Sequence, residues 1–305
     1  MGILLGLLTA LSWGSSDFLA RFASRRIGSL RTTLYMQLIG LALLTIFLPW
    51  IGGWGHLFDG SGWKPWAWGA LAGVLNGTST LSLYRSFEVG KLSVVAPLSA
   101  SYPALTVAIA VFTGEHLTAM RAAGIALILV GVIVVVRGEV EPDNDEPASV
   151  EPNSVTAPSP AGPKKRAASG IGAAMISAAG FGVLFWLLGN RVVPRVGFAS
   201  TVWMIRLTSS ALTAIVIVAL KQPITLRRND SVSLWLLGMG VLDTGAFVLN
   251  NLGMQLEQVS IVSVLASLYG AVTVLLSTVV LREKMSRWQW LGIAAIFAGI
   301  ALISR

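Results

Sequence analysis

Residues 73–76 of this chain read Gly-Val-Leu-Asn, and residues 240–243 read Gly-Val-Leu-Asp. The same offset, 167 or 168 positions, relates similar residues along the whole chain, and we call residues related in this way repeat mates. Examples are Trp13 and Phe181, Gly14 and Gly182, Met36 and Met204, Tyr102 and Tyr269, and Glu115 and Glu283. An offset that stays constant to within one residue indicates two copies of one structural unit.

The composition places most of the chain in a lipid bilayer. Hydrophobic residues make up 54% of the 305 residues and charged residues only 12%, whereas a soluble domain carries about 25% charged residues. A transmembrane helix needs about 20 mostly apolar residues. Ten such runs lie near residues 2–22, 30–50, 66–86, 92–113, 119–137, 168–189, 198–220, 233–254, 260–281 and 287–304. The sequence therefore predicts an all-α membrane protein with ten transmembrane helices.

One long polar segment separates the two copies. Residues 138–167 contain six acidic residues and six prolines, a composition that cannot bury a core of its own. We predict a disordered linker here, between a first repeat over 1–137 and a second over 168–305. Because each repeat has five helices, an odd number, the second copy must enter the membrane in the opposite sense. The prediction is two inverted five-helix repeats, which can close on either face in turn; a duplication kept only for packing is the alternative.

Three motifs resemble those of a known family. They are Trp13-Gly14 in the first helix, Val95-Ala96-Pro97-Leu98 in the fourth, and Gly114-Glu115 with Leu117-Thr118 before the fifth. In these residues the chain is similar to the EamA-type transporters of the drug/metabolite transporter (DMT) superfamily. The resemblance implies ten helices and the export or exchange of small metabolites, amino acids or drugs. It implies no single substrate.

Basic residues are divided unequally between the two sides of the membrane. If the amino terminus lies outside, sixteen of the 22 Lys and Arg fall in cytoplasmic connections, and Arg206 lies within a helix. The five on the outer side are Lys64, Arg121, Arg191, Arg195 and Arg305. The positive-inside rule then predicts a protein of the inner (plasma) membrane with both termini outside and the linker in the cytoplasm. The resemblance implies the opposite orientation; we follow the charges, which also explain the net charge of +8 without nucleic acid.

Three charged residues lie inside predicted helices, away from the helix ends. At a helix centre each charge costs about 2.5–3.5 kcal/mol and therefore indicates a functional site. They are Asp17, Arg206 and Asp243, and the last has the polar repeat mate Asn76. Asp243 either responds to a proton or cation, with Arg206 as its partner or as an anchor for a substrate carboxylate, or forms an ion pair that only fixes packing. Asp17 either binds an ammonium group or pairs with Arg21 one turn later.

Aromatic and polar residues complete the predicted substrate site. In addition to the three charged residues, we expect these to line it: Trp13, Asn76, Ser99, Tyr102, Phe181, Asn250, Ser267 and Tyr269. The aromatic ones form two pairs of repeat mates, so both halves can contribute walls to one cavity. An apolar pocket with a few polar groups is typical of small-molecule sites. For each residue taken alone, packing against lipid or another helix is the alternative.

Glycines give two predicted helices a face on which another helix can pack closely. They are Gly124 with Gly131 in the fifth helix and Gly292 with Gly299 in the tenth. Such small-residue faces suit either packing within the chain or a homodimer through helices five and ten.

Several residues have a structural rather than a transport role in this interpretation. We expect Glu283 and its repeat mate to fix loops, and Ser286 with Gln289 has the spacing of a capping box before the tenth helix. Pro97 and Pro103 predict a bend in the fourth helix, because proline cannot complete the helical hydrogen bonds. A bend at that position is a candidate gate.

The composition and motifs of the chain disfavour metalloproteins, ATP-driven pumps and enzymes. It has no cysteine and two histidines, so we expect no thiolate or imidazole metal site and no cofactor. It has no phosphate-binding glycine loop, so ATP drive is not expected. The triplet Asp243-Thr244-Gly245 matches that of aspartic proteases, but its repeat mate at 76–78 lacks the second acid, so no enzyme is predicted.

Together these features predict a secondary transporter that exports or exchanges small metabolites such as amino acids. Its partners are a small-molecule substrate and the lipid bilayer. Transport is driven either by exchange or by a proton gradient. A lipid-carrier flippase or a drug efflux pump of the same fold is the alternative.

Overall fold

The computed structural model describes residues 1–51, 53–113, 118–140, 163–225, 230–256, 262 and 265–303, and in these the regular secondary structure is helical, with no strand. The first half contains α1 (Gly2–Ile27), α2 (Ser29–Ile51), α3 (Lys64–Val89), α4 (Leu92–Ser99), α5 (Pro103–Phe112) and α6 (Ala119–Val140). The second half contains α7 (Pro163–Leu187), a π-helical turn (Leu188–Val192), α8 (Val193–Val196), α9 (Phe198–Ala219), α10 (Asp230–Leu256), α11 (Tyr269–Val280) and α12 (Arg287–Ile303).

Many of these helices are suited to a membrane. Within the described ranges, six helical segments are long and apolar enough to cross one, and three shorter apolar helices accompany them. The six are Gly2–Ile27, Ser29–Ile51, Leu92–Ile109, Ala168–Val196, Phe198–Ala219 and Ser231–Leu256. The helical segments coincide with the predicted runs, the ninth run being described mainly from residue 265 onward. The number of spans, ten, stays a prediction.

Helices extend into both ends of the predicted linker. α6 continues to Val140 and α7 begins at Pro163, so the ends of the 138–167 segment are helical rather than disordered. Proline is well placed at a helix start, because the first amide of a helix has no partner within it. Residues 141–162, the centre of the predicted linker, lie outside the described residues, as does Glu115.

α6 and α12 pack face to face through glycines. A Cβ atom at Gly131 would lie 2.6 Å from the carbonyl oxygen of Gly292, and one at Gly299 would lie 2.6 Å from that of Gly124. The later residue of α6 therefore contacts the earlier residue of α12, so the two helices run antiparallel. These are the four glycines of the predicted small-residue faces, and they face each other within one chain. They do not offer a surface to a second copy, so the predicted homodimer gains no support from them.

α2 and α9, a second pair of repeat mates, also run antiparallel. The indole nitrogen of Trp203 donates to Thr45 Oγ1 at 3.0 Å, and one turn later Arg206 Nη1 donates to Gln37 Oε1 at 2.7 Å. As the residue number rises in α9, the number of its contact in α2 falls.

Contacts between the halves recur with the halves exchanged. α1 packs on α10 and α11, while α7 packs on α3, α4 and α5. A Cβ atom at Gly14 would lie 2.9 Å from the carbonyl oxygen of Tyr269, and one at Gly182 would lie 3.0 Å from that of Tyr102. The two glycines are repeat mates and so are the two tyrosines, so each half approaches the other through equivalent backbone positions.

The segment predicted as a single fourth helix is broken in two. α4 ends at Ser99, α5 begins at Pro103, and the residues between them form a turn. Pro103 cannot donate the amide hydrogen bond that would continue α4. The predicted bend is therefore confirmed, and it sets Tyr102 at the break.

Arg21 and Glu283 tie several helix ends together. The Glu283 carboxylate accepts hydrogen bonds from the amides of Leu92 (3.3 Å) and Ser93 (2.8 Å) at the start of α4, where negative charge is favourable. It also pairs with Arg21 at 3.4 Å, and Arg21 donates to the carbonyl oxygen of Phe87 at 2.8 Å. The prediction that Glu283 fixes a loop is confirmed.

We expect the substitution Gly131→Ala to destabilise the protein by about 1–3 kcal/mol, because the added methyl group would overpack the α6–α12 contact. The matched control is Gly172→Ala on α7, where a Cβ atom would meet nothing within 4 Å; alanine there should be neutral or stabilise by up to about 1 kcal/mol. Thermal unfolding of the purified protein in detergent measures both. Equal midpoints for the two variants would contradict the close packing.

Candidate functional site

A cavity lies between helices of both halves. Its empty volume is about 390 Å³, counting the part that is open to the outside. The lining residues are Trp13 and Asp17 of α1, Thr80, Leu83 and Tyr84 of α3, Tyr102 at the α4–α5 break, Phe181 and Phe185 of α7, Asp243 and Phe247 of α10, and Tyr269 of α11. Seven of the eleven are aromatic and two are carboxylates.

The structure brings six of the predicted site residues together around this cavity. They are Trp13, Asp17, Tyr102, Phe181, Asp243 and Tyr269. The other five are buried but do not line it: Asn76, Ser99, Arg206, Asn250 and Ser267. Substrate binding by any of them stays a prediction.

The positions along the helices explain why some predicted residues miss the cavity. Asn250 shares a helix face with Asp243, but seven residues correspond to about 10 Å along the axis. Its side chain is fully buried beside the sulfur of Met254, at 3.8 Å. Ser99 and Ser267 are repeat mates next to the helix breaks and are fully buried. Neither of them lines this cavity.

Trp13 lies at the centre of an aromatic cluster. Its ring is 5.0 Å from Phe247, 5.7 Å from Phe185 and 6.1 Å from Tyr269, in edge-to-face arrangements. Tyr102 packs against Phe185 at 4.7 Å. Such pairs contribute about 0.5–1.5 kcal/mol each beyond the area they bury, so the wall is well fixed. Ring faces carry negative potential and attract cations.

Asp17 is a buried carboxylate, one oxygen of which has no hydrogen-bond partner among the described residues. Its residue exposure is 4%, and among the described residues no hydrogen-bond donor reaches its Oδ2 atom. The alternative prediction, a pair with Arg21, is wrong, because the Arg21 guanidinium binds Glu283 and the carbonyl oxygen of Phe87 instead. A buried charge without compensation is costly, so this carboxylate is suited to take up a cation or a proton.

Asp243 differs from Asp17 because its charge is compensated. Arg206 Nη2 donates to Asp243 Oδ2, and Arg206 Nη1 donates to Gln37 Oε1 at 2.7 Å. The guanidinium also lies over the ring of Phe247, 5.2 Å from its centroid. The predicted ion pair is therefore present. The alternative role of Arg206, an anchor for a substrate carboxylate, is not supported, since its side chain is fully buried behind the cavity wall.

A chain of hydrogen bonds links the repeat mates Asp243 and Asn76. It runs from Asp243 through Arg206 to Gln37, whose Nε2 donates to Asn76 Oδ1 at 3.1 Å. The two polar positions are thus joined through Arg206 and Gln37, and of the two only Asp243 lines the cavity. Gln37 was missed by the sequence argument, which searched the helices for charges. A glutamine within an apolar run is itself a signal.

Five further lining residues were not predicted as site residues: Thr80, Leu83, Tyr84, Phe185 and Phe247. Two signals point to most of them. Thr80, Phe185 and Phe247 each follow a predicted site residue by four positions, which is one helical turn. The offset supplies the second signal, since eight lining residues form four pairs of repeat mates: Trp13 and Phe181, Asp17 and Phe185, Thr80 and Phe247, and Tyr102 and Tyr269.

Comparisons with known proteins agree with this architecture. The chain is 32% identical over 133 residues to an uncharacterized protein of Methanocaldococcus jannaschii, a match that covers 43% of this chain and 93% of that one. A solved structure, described only as the crystal structure of a protein, matches with a TM-score of 0.63 and 19% identity over 99% of this chain and 95% of that one. At that identity the likeness shows the fold alone.

The family model gives the decisive comparison. The model of the EamA-like transporter family matches residues 1–137 and 168–305, which is nearly all of the chain outside the 138–167 segment. The resemblance noted in the sequence is therefore confirmed. With its apolar helices of membrane-spanning length, the chain is a multi-pass membrane protein and belongs to the EamA-like transporter family of the DMT superfamily.

Proposed function

We propose that this protein is a secondary transporter whose cargo is a small amine: an ammonium group on an aromatic or apolar body. The observation that carries the proposal is the buried Asp17 carboxylate in the wall of an aromatic cavity, whose Oδ2 atom no donor among the described residues reaches. An ammonium group would compensate that charge, and the surrounding rings would bind both the cation and its apolar body. A few placed polar groups in an apolar cavity are typical of a small-molecule site.

The charge of the cavity favours an amine over an amino acid. An amino acid would add a carboxylate that needs a cation of its own. The guanidinium of Arg206, which contacts the lining residue Asp243, is already bound to Asp243 and Gln37. A carboxylate-bearing cargo would have to break one of these bonds, whereas an amine leaves both intact.

Two inverted repeats of five helices would let the cavity open to each side in turn. Four observations support this arrangement: the antiparallel packing of α6 with α12, that of α2 with α9, the contacts that recur with the halves exchanged, and the four pairs of repeat mates in the cavity wall. The archaeal relative, 93% of which is matched within 133 residues, has about the length of one repeat.

The unpartnered carboxylate also suggests how transport is driven. When the amine leaves, the Asp17 carboxylate is again buried without compensation, which is unfavourable. A proton that enters in place of the cargo would neutralise it. We therefore propose export of the amine in exchange for protons.

We expect Asp17→Asn to reduce transport of para-methylbenzylamine by about 30-fold or more, since loss of one partner of a buried charge pair costs about 2–5 kcal/mol. Uptake into proteoliposomes measures this, and asparagine keeps the shape of the side chain. Asp59→Asn is the matched control. Asp59 lies outside the helices, where hydrogen bonds from Ser61 and His56 lower its pKa to about 2, and this variant should transport normally.

Two outcomes of that assay would contradict the proposal. Transport by the Asp17→Asn variant at the rate of the unmodified protein would exclude Asp17 as the cation site. Movement of labelled lipid without any amine flux would favour the flippase alternative.

The proposed orientation has both termini outside and the 138–167 segment in the cytoplasm. Because the chain contains no cysteine, single substitutions report accessibility without background. In intact cells we expect a membrane-impermeant maleimide to label Ser61→Cys and to leave Ser154→Cys unlabelled until the cells are opened. The reverse pattern would contradict this orientation and show that the positive-inside rule does not hold for this protein.

A further inference from the structure

We infer that Arg206 sets the valence of the cargo: by compensating Asp243, it makes the cavity selective for monocations over dications. The inference rests on the proposed function, since it assumes that an ammonium group binds at Asp17. Arg206 does not line the cavity and so does not contact the cargo. It would determine specificity indirectly, through its ion pair with Asp243.

The starting observation is that two carboxylates line one cavity. Asp17 on α1 and Asp243 on α10 are 4% and 8% exposed. Two uncompensated carboxylates in one poorly hydrated site would attract a dication more strongly than a monocation, because each charge would find a partner at close range. Which cargo the cavity prefers therefore depends on how many of these charges are available.

Arg206 compensates the negative charge of one of these carboxylates, Asp243. Its side chain is fully buried on α9, and besides Asp243 it contacts Gln37 at 2.7 Å and the sulfur of Met36 at 3.6 Å. The contacts with Gln37 and Met36 lie behind the cavity wall, since Arg206, Gln37 and Met36 do not line the cavity. The guanidinium is thus a fixed part of the bundle.

The packing leaves the guanidinium little freedom to leave Asp243. The Arg206 side chain packs directly against Gly40 on α2, where a larger residue would not fit. A Cβ atom at Gly40 would lie 3.0 Å from Arg206 Nε and 3.1 Å from Arg206 Cδ. The ring of Phe247 covers the guanidinium, with its centroid 5.2 Å from Arg206 Cζ. Withdrawal would also leave a carboxylate buried and unpaired, which is strongly unfavourable.

The cavity therefore offers one carboxylate to its cargo. The single positive charge of a monocation would be compensated by the Asp17 carboxylate. The second ammonium group of a dication would meet an aspartate that is already paired. The attraction of the rings would replace only part of its hydration, so its desolvation would be only partly compensated.

The test is a competition between two cargos of nearly equal shape, para-methylbenzylamine and the dication para-xylylenediamine. In proteoliposomes with the unmodified protein we expect the monocation to be preferred by about tenfold or more, the effect of 1.4 kcal/mol. Para-hydroxymethylbenzylamine, a monocation with a neutral polar group in place of the second charge, should be transported like the methyl compound. This part of the test needs no variant, so it stands even if a variant fails to fold.

Substitution then identifies the residue responsible. Arg206→Gln keeps a hydrogen-bond donor but removes the positive charge, and we expect the preference to shift toward the dication by about tenfold or more. Adding Asp243→Asn to Arg206→Gln removes the charge that was released and should restore the preference for the monocation. Arg206→Lys keeps the positive charge and should retain the original preference.

The outcomes separate the inference from the proposed function. If the unmodified protein transports neither amine, the proposed function is wrong and the inference with it. If it transports both amines equally, the proposed function stands and the selectivity claim is overturned. Transport of the monocation with no shift in Arg206→Gln would likewise overturn the role of Arg206, whereas a shift that the second substitution reverses would establish it.

Discussion

A bundle in a lipid bilayer must compensate the charges it buries with groups of its own, and the contacts of Arg206 meet that constraint. An unpaired charge in the interior costs several kcal/mol, so a fully buried guanidinium on α9 requires a carboxylate and acceptors on neighbouring helices. Asp243 on α10, Gln37 on α2 and, through Gln37, Asn76 on α3 supply them. The network joins four helices of both halves directly behind the cavity, and it fixes the wall in which Asp243 and Phe247 lie.

That network also gives the two carboxylates of the cavity different chemical roles. Asp243 is held by a cation, whereas no donor among the described residues reaches Asp17 Oδ2. Neither aspartate has an acidic repeat mate: the mate of Asp17 is Phe185, and the mate of Asp243 is Asn76. Glycines and aromatic residues at equivalent positions keep the packing of the halves alike. Because Asp17 and Asp243 each lack a charged repeat mate, the cavity is chemically asymmetric, and we propose that cargo recognition depends on that asymmetry.

Local signals and the internal offset predicted much of this arrangement. The capping box at Ser286 and Gln289 forms as expected, with hydrogen bonds of 2.7 and 3.2 Å, because its geometry depends on four consecutive residues. The offset identified aromatic residues that meet in the cavity. The sequence could not identify the partner of Arg21, which is Glu283, 262 positions away. It also could not show that the part of α10 lining the cavity includes Asp243 and Phe247 but not Asn250. Both depend on how distant helices cross, and no local pattern encodes that.

The central claim is that an ammonium group binds the Asp17 carboxylate while the Arg206–Asp243 pair stays closed. Structure determination with a brominated benzylamine tests it most directly, because anomalous scattering locates the bromine and the density locates the nitrogen. The account predicts the bromine among the rings around Trp13, with the nitrogen at hydrogen-bonding distance from Asp17, about 2.7–2.9 Å. An amine bound at Asp243 with Arg206 displaced, or bound outside this cavity, would contradict the account.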